Sequence, residues 1–400
     1  MGAFMELFKN LTVLSLEQAT VAPYLTYRLA QDGMNVIRLE HPVFGDPNRF
    51  IGSNVLNEER MNAYFLCINS GKKALTLNMA DPKGQEIFNE LLQKLNVDIF
   101  IINQLPKNYE KLGCAYDLMK KVKPDIIWLG LTGFGPDSNE GAYDPILQAR
   151  SGLMELTGEA DGDPQVLGIP LPDMGTSEHG YGLLMKALFK RAVTGEGTRI
   201  DLSMFESTVS WLTVPIALTK SFGTKISRRG NTHEFFCPVS VYKTKDGFVY
   251  LAVGNDRQWE SMVAQDMFKS LAREDYKKNK GRIADVHNLN KAITAITEQH
   301  TSEDLIKLFT SITVPISGIK NVEEVLEDPL VAKRILSSTD PKTGTTVTLA
   351  PPPHMTPFLE ASGRKLSFPP RFGQENKAVY KDILGYSDTA LAEFKEKGIV

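Results

Sequence analysis

Apolar, β-branched runs alternate with segments of helical period through the first half of this sequence, and no other feature constrains the fold as much. TVLSL at residues 12–16 predicts a buried strand, APYLTYRLAQDG predicts a helix that ends at Gly33, and NVIRLE at residues 35–40 predicts the next strand. Strand, helix and strand in this order form a βαβ unit, and such units build a parallel sheet covered by helices. The predicted fold class is therefore α/β, with a large Rossmann-like domain.

A second unit of the same kind follows. Asp81 is the predicted N-cap and Pro82 the first residue of a helix that leads into the strand VDIFIIN. The next strand, DIIWLGL at residues 125–131, opens into the loop TGFGPDSNEGAYDP, whose glycines and prolines predict irregular backbone. Ligands bind where the strands of such a sheet open into loops, so we expect the site at that edge.

The pattern changes near Arg229. VSVYKTKDGFVYLAVG predicts two antiparallel strands around a Lys-Asp-Gly turn, and charged helices follow as far as residue 312. Four hundred residues are enough for two or three domains. We therefore predict that a second, smaller α+β domain begins at residue 229.

Composition and missing motifs exclude several functions. With 45 Lys and Arg against 48 Asp and Glu, the chain lacks the basic field that a phosphate backbone or an anionic membrane attracts. No GxGxxG or GxxxxGK[ST] string is present, which argues against NAD binding and ATP hydrolysis. Six histidines without HExxH spacing and three dispersed cysteines suggest no metal site and no disulfide framework. The start lacks an export signal and the longest apolar stretch, 209–218, is too short to span a bilayer, so we expect a cytoplasmic protein.

The segment GIPLPDMGTSEHGYGLLMKAL carries the main candidate for chemistry. Extended backbone is predicted to stop at Pro172, so that Asp173 opens a helix. Backbone N–H groups and the helix dipole at that end favour an ionised carboxylate, the form that a nucleophile needs, and Gly175 leaves room for a substrate. The alternative is that Asp173 is simply an N-cap, since Asp is among the preferred capping residues. His179 is interpreted as a packing residue.

Several motifs, in order along the chain, match those of a known protein family and bear on the role of Asp173. They include GMNVIRLEHPVFGDPNR, NSGKKALTLNMADPKG, YDPILQARSGLMELTG, GIPLPDMGT, TGEGTRIDLSM and RRGNTHEFFCPVSVYKTKDG. Through them the sequence resembles the family III CoA-transferases of the CaiB/BaiF type, which include formyl-CoA:oxalate CoA-transferase. In that family the Asp of the segment matching GIPLPDMGT is the nucleophile, so the resemblance implies this role for Asp173. The implied reaction proceeds through an aspartyl mixed anhydride and an aspartyl-CoA thioester, and it needs no cofactor because CoA thioesters are the substrates.

The resemblance also implies residues for CoA and for the acyl group. Those that match family positions in contact with CoA are Arg49, Leu77, Met79, Asn103 and Lys111. Candidates for the acyl pocket or for loops that donate N–H groups to an oxyanion are Gly133, Phe134, Tyr143, Arg229, Gly230 and Asn231. These glycines serve equally well as turn residues. Lys72 and Lys73 are weaker CoA candidates, because paired lysines after a glycine are usually a solvated turn, and Thr20 replaces a Gln found in some members.

Three other activities remain open. The related α-methylacyl-CoA racemases pair a similar Asp with the His of a GHD string, where this chain has Tyr143 in GAYDP. That substitution favours the transferase. A CoA isomerase would use the same Asp173, and a catalytically silent partner subunit would bind CoA without turnover.

The resemblance also implies the division into domains: a large α/β domain from both chain ends, at 1–205 and 316–400, a linker at 206–228 and the smaller α+β domain at 229–315. It finally implies an interlocked assembly, either a homodimer or a heterodimer or heterotetramer with a related subunit. Succinyl-CoA is a common donor in the family, and acceptors range from small dicarboxylates to aryl acids such as benzylsuccinate. Arg228 and Arg229 are candidates for binding a second carboxylate, and Phe235 and Phe236 for an aryl pocket or for core packing.

Overall fold

A parallel six-stranded sheet forms the centre of the first of two units in the structure, a computed structural model that describes residues 7–400. Its strands are β1 (Thr12–Leu16), β2 (Asn35–Glu40), β3 (Lys72–Thr76), β4 (Ile99–Ile102), β5 (Ile127–Thr132) and β6 (Thr198–Ser203). The strand order is β3-β2-β1-β4-β5-β6, with Val13 opposite both Val36 and Ile99. The chain thus changes its direction of progress across the sheet between β1 and β4, where such folds open a ligand crevice.

Helices cover both faces of this sheet. Alternate strand residues explain why, since Leu14 and Phe100 belong to the hydrophobic core on one face and Val13 and Ile101 to the core on the other. The helices of this unit are Val21–Gln31, Ala63–Ile68, Pro82–Lys94, Tyr116–Val122, Asp144–Ser151, Leu171–Thr194, Met204–Val209, Thr213–Phe222, Pro357–Ala361, the π-helix Lys377–Ile383 and Asp388–Glu396, with 3-10 turns at Pro47–Phe50 and Pro106–Asn108. The α/β class and the two predicted βαβ units are confirmed, and Asp81 caps its helix by accepting from the Lys83 N–H at 2.8 Å.

The second unit has its own sheet and core. It comprises Leu153–Val166 and Thr224–Pro329. The hairpin β7 (Val239–Lys243) and β8 (Phe248–Ala252) is antiparallel, as the sequence indicates, and β9 (Ile316–Gly318) pairs with β8. The remaining elements are the helices Asp256–Val263, Asn279–Ala284, Val286–Thr297, Ser302–Ser311 and Val322–Glu327, and the turns Asp266–Leu271 and Glu274–Tyr276.

The boundaries of the units differ in detail from the sequence-based ones. The segment Leu153–Val166 joins the second unit because Arg228 donates to the Glu155 carboxylate at 2.9 Å and the Gly230 N–H to the Gly158 carbonyl at 2.8 Å. The stretch 206–228, predicted as a linker, contains the helix Thr213–Phe222. The first unit resumes at Leu330 with the short helix Pro329–Ala332 and the hairpin β10 (Leu336–Thr339) and β11 (Thr346–Leu349). None of the helices between residues 7 and 400 has the length and apolarity that a bilayer crossing requires.

Candidate active site

Asp173 lies in the first turn of the helix Leu171–Thr194, which connects β5 to β6. Because β5 and β6 are parallel, this helix begins at the carboxyl edge of the sheet. The helix starts two residues earlier than the sequence suggests, with Pro170 as N-cap and Pro172 within the first turn. Asp173 is therefore the third helical residue and not the N-cap, which corrects the interpretation of this carboxylate as a capping group.

A second carboxylate, Asp144, holds the backbone of the nucleophile candidate. The Asp173 N–H donates to Asp144 Oδ2 at 3.1 Å, and Gln148 Nε2 donates to Asp144 Oδ1 at 2.5 Å. Gln148 Oε1 in turn accepts from the Leu167 N–H at 2.9 Å. Asp144 and Gln148 are both buried and lie one turn apart on the helix Asp144–Ser151. Together they fix both ends of the segment 167–173. Neither residue was predicted as functional from the sequence, although the i, i+4 spacing in YDPILQ was the available signal.

The electrostatics at Asp173 differ from the sequence-based expectation. Burial, and secondarily the charge of Asp144, raise the pKa of Asp173 to about 7. Burial likewise raises the pKa of Asp144. The helix N-terminus was expected to favour the ionised form of Asp173, but desolvation and a like charge outweigh a dipole effect of about 1 kcal/mol and raise the pKa instead. A carboxyl group whose pKa lies near neutral pH is typical of functional sites.

The effect of the Asp144 charge on the pKa of Asp173 can be tested directly with the Asp144→Asn variant. The variant removes a negative neighbour, so we expect the pKa of Asp173 to fall and its deprotonated form to persist to lower pH. A carbon NMR titration of the labelled Asp173 carboxyl group measures this shift. The exposed Asp137→Asn variant is the matched control and should leave the titration unchanged. An Asp173 titration that is identical in Asp144→Asn and the parent would contradict the coupling.

Gly175 has a different neighbour from the one expected. A Cβ atom at Gly175 would come within 1.7 Å of Cη2 of Trp211. The space beside this glycine is thus occupied by the indole, which corrects the expectation that it is left open for a substrate. His179 packs against the same Trp211, with ring centroids 5.3 Å apart, and its Nδ1 shares a 2.7 Å hydrogen bond with Ser207 Oγ. These contacts agree with a packing role for His179.

A crevice of about 240 Å³ opens at the carboxyl ends of β1 to β4, at the change of direction between β1 and β4. Residues that line it include Gln18, Glu40, Leu77, Met79, Gln104 and Leu112. The structure therefore brings the CoA candidates Leu77 and Met79 to one crevice at the same sheet edge as Asp173.

Asn103 and Lys111 lie beside this crevice. Asn103 accepts from the Gln18 N–H at 3.0 Å and donates to the Gln18 carbonyl at 2.8 Å, so it fixes one wall. Gln85 Nε2 donates to the carbonyls of Met79 and Lys111, at 3.1 and 2.9 Å, and ties the opposite wall together. The Lys111 side chain is exposed next to the lining residue Leu112. An exposed ammonium at this position suits a phosphate ligand.

Arg49 does not have the setting expected of a phosphate ligand. It is 0% exposed, and its Nε and Nη2 donate to the Glu40 carboxylate at 2.7 and 2.6 Å. The remaining N–H groups reach the carbonyls of Arg60 and Pro370, so all five are used within the protein. The Phe65 ring lies 3.9 Å from the guanidinium. As described, Arg49 stabilises the fold and has no donor left for CoA.

Lys72 is also buried, which corrects its interpretation as part of a solvated turn. Its ammonium donates to Glu17 at 2.9 Å, to the Pro23 carbonyl at 2.8 Å and to Asn69 at 2.8 Å. Burial lowers the pKa of Lys72 to about 8, although Glu17 acts in the opposite direction. Lys73, by contrast, is exposed and donates to Asn35.

The glycine loop after β5 is constrained by packing. A Cβ at Gly133 would lie 2.5 Å from that of Ala142, so this position requires glycine. Phe134 packs on Phe205, and the Arg150 guanidinium lies 4.1 Å from its ring. The Gly135 N–H donates to Thr132 Oγ1 at 3.0 Å and is therefore not free to bind an oxyanion. Tyr143 is the N-cap of the helix Asp144–Ser151 and is 78% exposed.

The other predicted loop lies in the second unit. The Gly230 N–H donates to the Gly158 carbonyl, which corrects its expected role as an oxyanion donor. Arg229 is paired with Glu234 at 3.0 Å, whereas Asn231 is exposed. Arg228 is likewise paired with Glu155, so neither arginine is a free cation for an acceptor carboxylate in this structure.

Comparison with known proteins places these features in a family. The family model described as CoA-transferase family III matches residues 8–376. The chain belongs to this CoA-transferase family. A succinyl-CoA:glutarate CoA-transferase from Homo sapiens is 30% identical over 98% of this chain and 89% of that protein. A succinyl-CoA:mesaconate CoA-transferase from Haloarcula marismortui is 31% identical over 81% of this chain and 83% of that protein.

A solved structure supports the same assignment for the fold. The crystal structure of a CaiB/BaiF family protein from Brucella suis superposes with a TM-score of 0.82 at 27% identity, covering 94% of this chain and 99% of that one. The resemblance inferred from the motifs is thereby confirmed. This family III CoA-transferase is an enzyme that transfers CoA between an acyl-CoA and an organic acid.

Proposed function

We propose that this enzyme moves CoA from succinyl-CoA to a small dicarboxylate, with Asp173 as the covalent carrier. The observation that carries the proposal is the placement of a half-buried carboxyl group, braced by Asp144, at the same sheet edge as the crevice lined by Leu77 and Met79. The relatives named as succinyl-CoA:glutarate and succinyl-CoA:mesaconate CoA-transferases favour dicarboxylate substrates.

The first half of the reaction transfers CoA to the enzyme. An oxygen of ionised Asp173 attacks the thioester carbonyl carbon, the C–S bond breaks, and CoA leaves as a thiolate from a mixed anhydride. The thiolate then attacks the Asp173 carbonyl carbon of that anhydride. Succinate leaves with the electron pair of the broken C–O bond, and Asp173 remains as a CoA thioester.

The second half repeats these steps with the acceptor. Its carboxylate attacks the aspartyl thioester, expels the CoA thiolate and forms a second mixed anhydride. The thiolate attacks the acceptor carbonyl carbon of this anhydride, which releases acyl-CoA and the free Asp173 carboxylate. No net proton or electron is consumed, and thioester and anhydride are both activated acyl groups, so the steps require no cofactor.

Two features of the site support this use of Asp173. Its pKa near 7 keeps a useful fraction ionised at neutral pH while making the carboxylate more basic than an exposed aspartate. The hydrogen bond from its N–H to Asp144 holds the first helical turn in place without occupying the side chain that reacts.

An assembly of two copies of this chain is part of the proposal. The helix Thr213–Phe222 is apolar yet has no buried residue, and Phe189, Val214 and Phe222 are all more than half exposed. Apolar surface of this kind marks an interface. A monomer at micromolar concentration would contradict an obligate dimer.

Trapping of the covalent intermediate tests the mechanism. With succinyl-CoA and hydroxylamine, but without acceptor, we expect a hydroxamate at Asp173 by peptide mass spectrometry. Asp137→Asn should retain the modification and Asp173→Asn should lose it. A panel of acids, from glutarate, mesaconate and malate to benzylsuccinate, then identifies the acceptor by the acyl-CoA formed.

Each alternative activity gives a different result in the same experiment. Tight CoA binding with an unmodified Asp173 would indicate a silent subunit. Deuterium incorporation at the α-carbon without CoA exchange would indicate a racemase, for which Tyr143 replaces the expected His. Exchange of CoA within a single diacid would indicate an isomerase.

A further inference from the structure

Strand β3 lies at the edge of the six-stranded sheet, so one side of its backbone has no neighbouring strand. The Leu77 N–H, just beyond β3, points inward and donates to the Glu40 carbonyl of β2 at 2.8 Å. In an extended chain alternate residues point the other way, and the N–H groups of Ala74, Thr76 and Asn78 therefore face the open edge. Unpaired groups at such an edge need partners from elsewhere in the chain.

Residues near the end of the sequence supply these partners. Ala74 exchanges two hydrogen bonds with Glu375, one to its Oε2 at 2.7 Å and one from its N–H at 3.1 Å. The Thr76 N–H donates to Asn376 Oδ1 at 3.0 Å, and the Thr76 carbonyl accepts from the Tyr380 hydroxyl at 2.8 Å. Asn376 Nδ2 also donates to Thr76 Oγ1 at 2.7 Å.

The same arrangement continues into the crevice. The Asn78 N–H donates to the Ile399 carbonyl at 2.8 Å, and Asn78 lines the crevice together with Leu77 and Met79. Ile399 and Tyr380 are buried in the hydrophobic core that contains Leu77 and Met79. We call Glu375, Asn376, Tyr380 and Ile399 the edge cover. Residues 77–79 thus lie between the crevice and the edge cover.

We propose that the edge cover sets the affinity for CoA, with Asn376 and Tyr380 as positioning residues for the crevice wall formed by residues 77–79. This inference rests on the proposed use of the crevice for CoA. A wall whose backbone is already fixed binds its ligand without a further ordering cost, whereas a frayed wall must be ordered at each binding event. The edge cover touches neither Asp173 nor Asp144 through any hydrogen bond described between residues 7 and 400, so it should act on binding and not on the chemical step.

Tyr380→Phe and Asn376→Leu test this role in the full-length enzyme. Tyr380→Phe removes one hydrogen bond to Thr76 and Asn376→Leu removes two. We expect the Kd for CoA to rise about fivefold in Tyr380→Phe, the effect of losing roughly one hydrogen bond, and at least as much in Asn376→Leu. The rate at saturating substrate should stay within about twofold of the parent. Hydrogen exchange of the amides of residues 77–79 should become faster.

Tyr386→Phe is the matched control. Tyr386 lies in the same part of the chain, but its hydroxyl donates to Glu90 Oε1 at 2.9 Å and not to the strand edge. It should leave both the CoA affinity and the exchange of residues 77–79 unchanged.

The possible outcomes separate this inference from the proposed function. Unchanged exchange in both variants would overturn the positioning role, and faster exchange with unchanged CoA affinity would overturn its link to binding. A parent enzyme that does not bind CoA would overturn the proposed CoA site and the affinity claim with it. That failure would be recognisable, because the exchange rates would still respond to the two substitutions.

Discussion

Asp173→Asn is expected to abolish CoA transfer and, at pH 8, to leave a protein that is more stable than the parent. Loss of the only proposed carrier of the acyl group should reduce turnover by about a thousandfold or more. The gain in stability has a separate cause, because the parent must hold a charged carboxylate in a half-buried site beside Asp144.

The pH dependence of this gain follows from the pKa values. The pKa of Asp173 is raised from 3.8 to about 7. Between these values the unfolded chain releases the proton while the folded protein retains it, so stability falls as pH rises through this window. Above pH 7 the full cost applies, roughly 2–4 kcal/mol, and Asn, which cannot ionise, avoids it.

Urea denaturation at pH 8 and pH 4 measures this difference. The variant should be the more stable protein at pH 8, and the advantage should vanish near pH 4, where Asp173 is protonated in the folded state. Asp137→Asn controls for the loss of a surface charge. An active Asp173→Asn enzyme would contradict the mechanism, and equal stability of variant and parent at pH 8 would contradict the raised pKa.

Arg49→Ala should destabilise the protein by about 3–5 kcal/mol, because it leaves Glu40 buried without its closest cation. Burial alone would raise the pKa of Glu40, yet Arg38 and Arg49 together hold it below its usual range. Arg38 remains in the variant, but its Nε is 3.3 Å from Glu40 and its Nη2 is already engaged by Asp46. One guanidinium therefore cannot replace the two.

Lys111→Ala distinguishes this structural role from a role in CoA binding. Since Lys111 is exposed, its loss should leave the urea midpoint nearly unchanged and raise the KM for the acyl-CoA. An Arg49→Ala enzyme with parental stability and a raised KM would restore Arg49 as a phosphate ligand. If Arg49→Ala loses stability and Lys111→Ala does not, the result would support the structural role of the ion pair between Arg49 and Glu40.

Local features of the sequence predicted local structure well. The strand NVIRLE and the helix that begins after Asp81 depend on neighbouring residues, and both lie where the sequence puts them. The hairpin around Lys-Asp-Gly also depends on neighbouring residues and was predicted for the same reason. The ordered motifs, among them GIPLPDMGT, pointed to Asp173 through their resemblance to the family, and its role as nucleophile stays a prediction.

Features that depend on distant residues could not be predicted in this way. Arg49 is buried partly by the Pro370 carbonyl, 321 positions away, and Lys72 by Glu17 and Pro23. The dipole at Asp173 comes from its own helix and is visible in the local sequence, whereas its pKa is set by burial and by Asp144, 29 positions earlier. A charged residue in a motif thus reveals its chemical type but not its degree of burial.

The distance along the chain between β3 and its edge cover has a consequence for biosynthesis. Ala74 receives its partner from a residue 301 positions later, so the nascent chain carries an open strand edge until that later residue has been synthesised. At translation rates of about 5–20 residues per second this interval is roughly 15–60 s, and exposed strand edges promote aggregation. Ribosome-associated chaperones that bind unfolded chains would therefore be needed most during this interval.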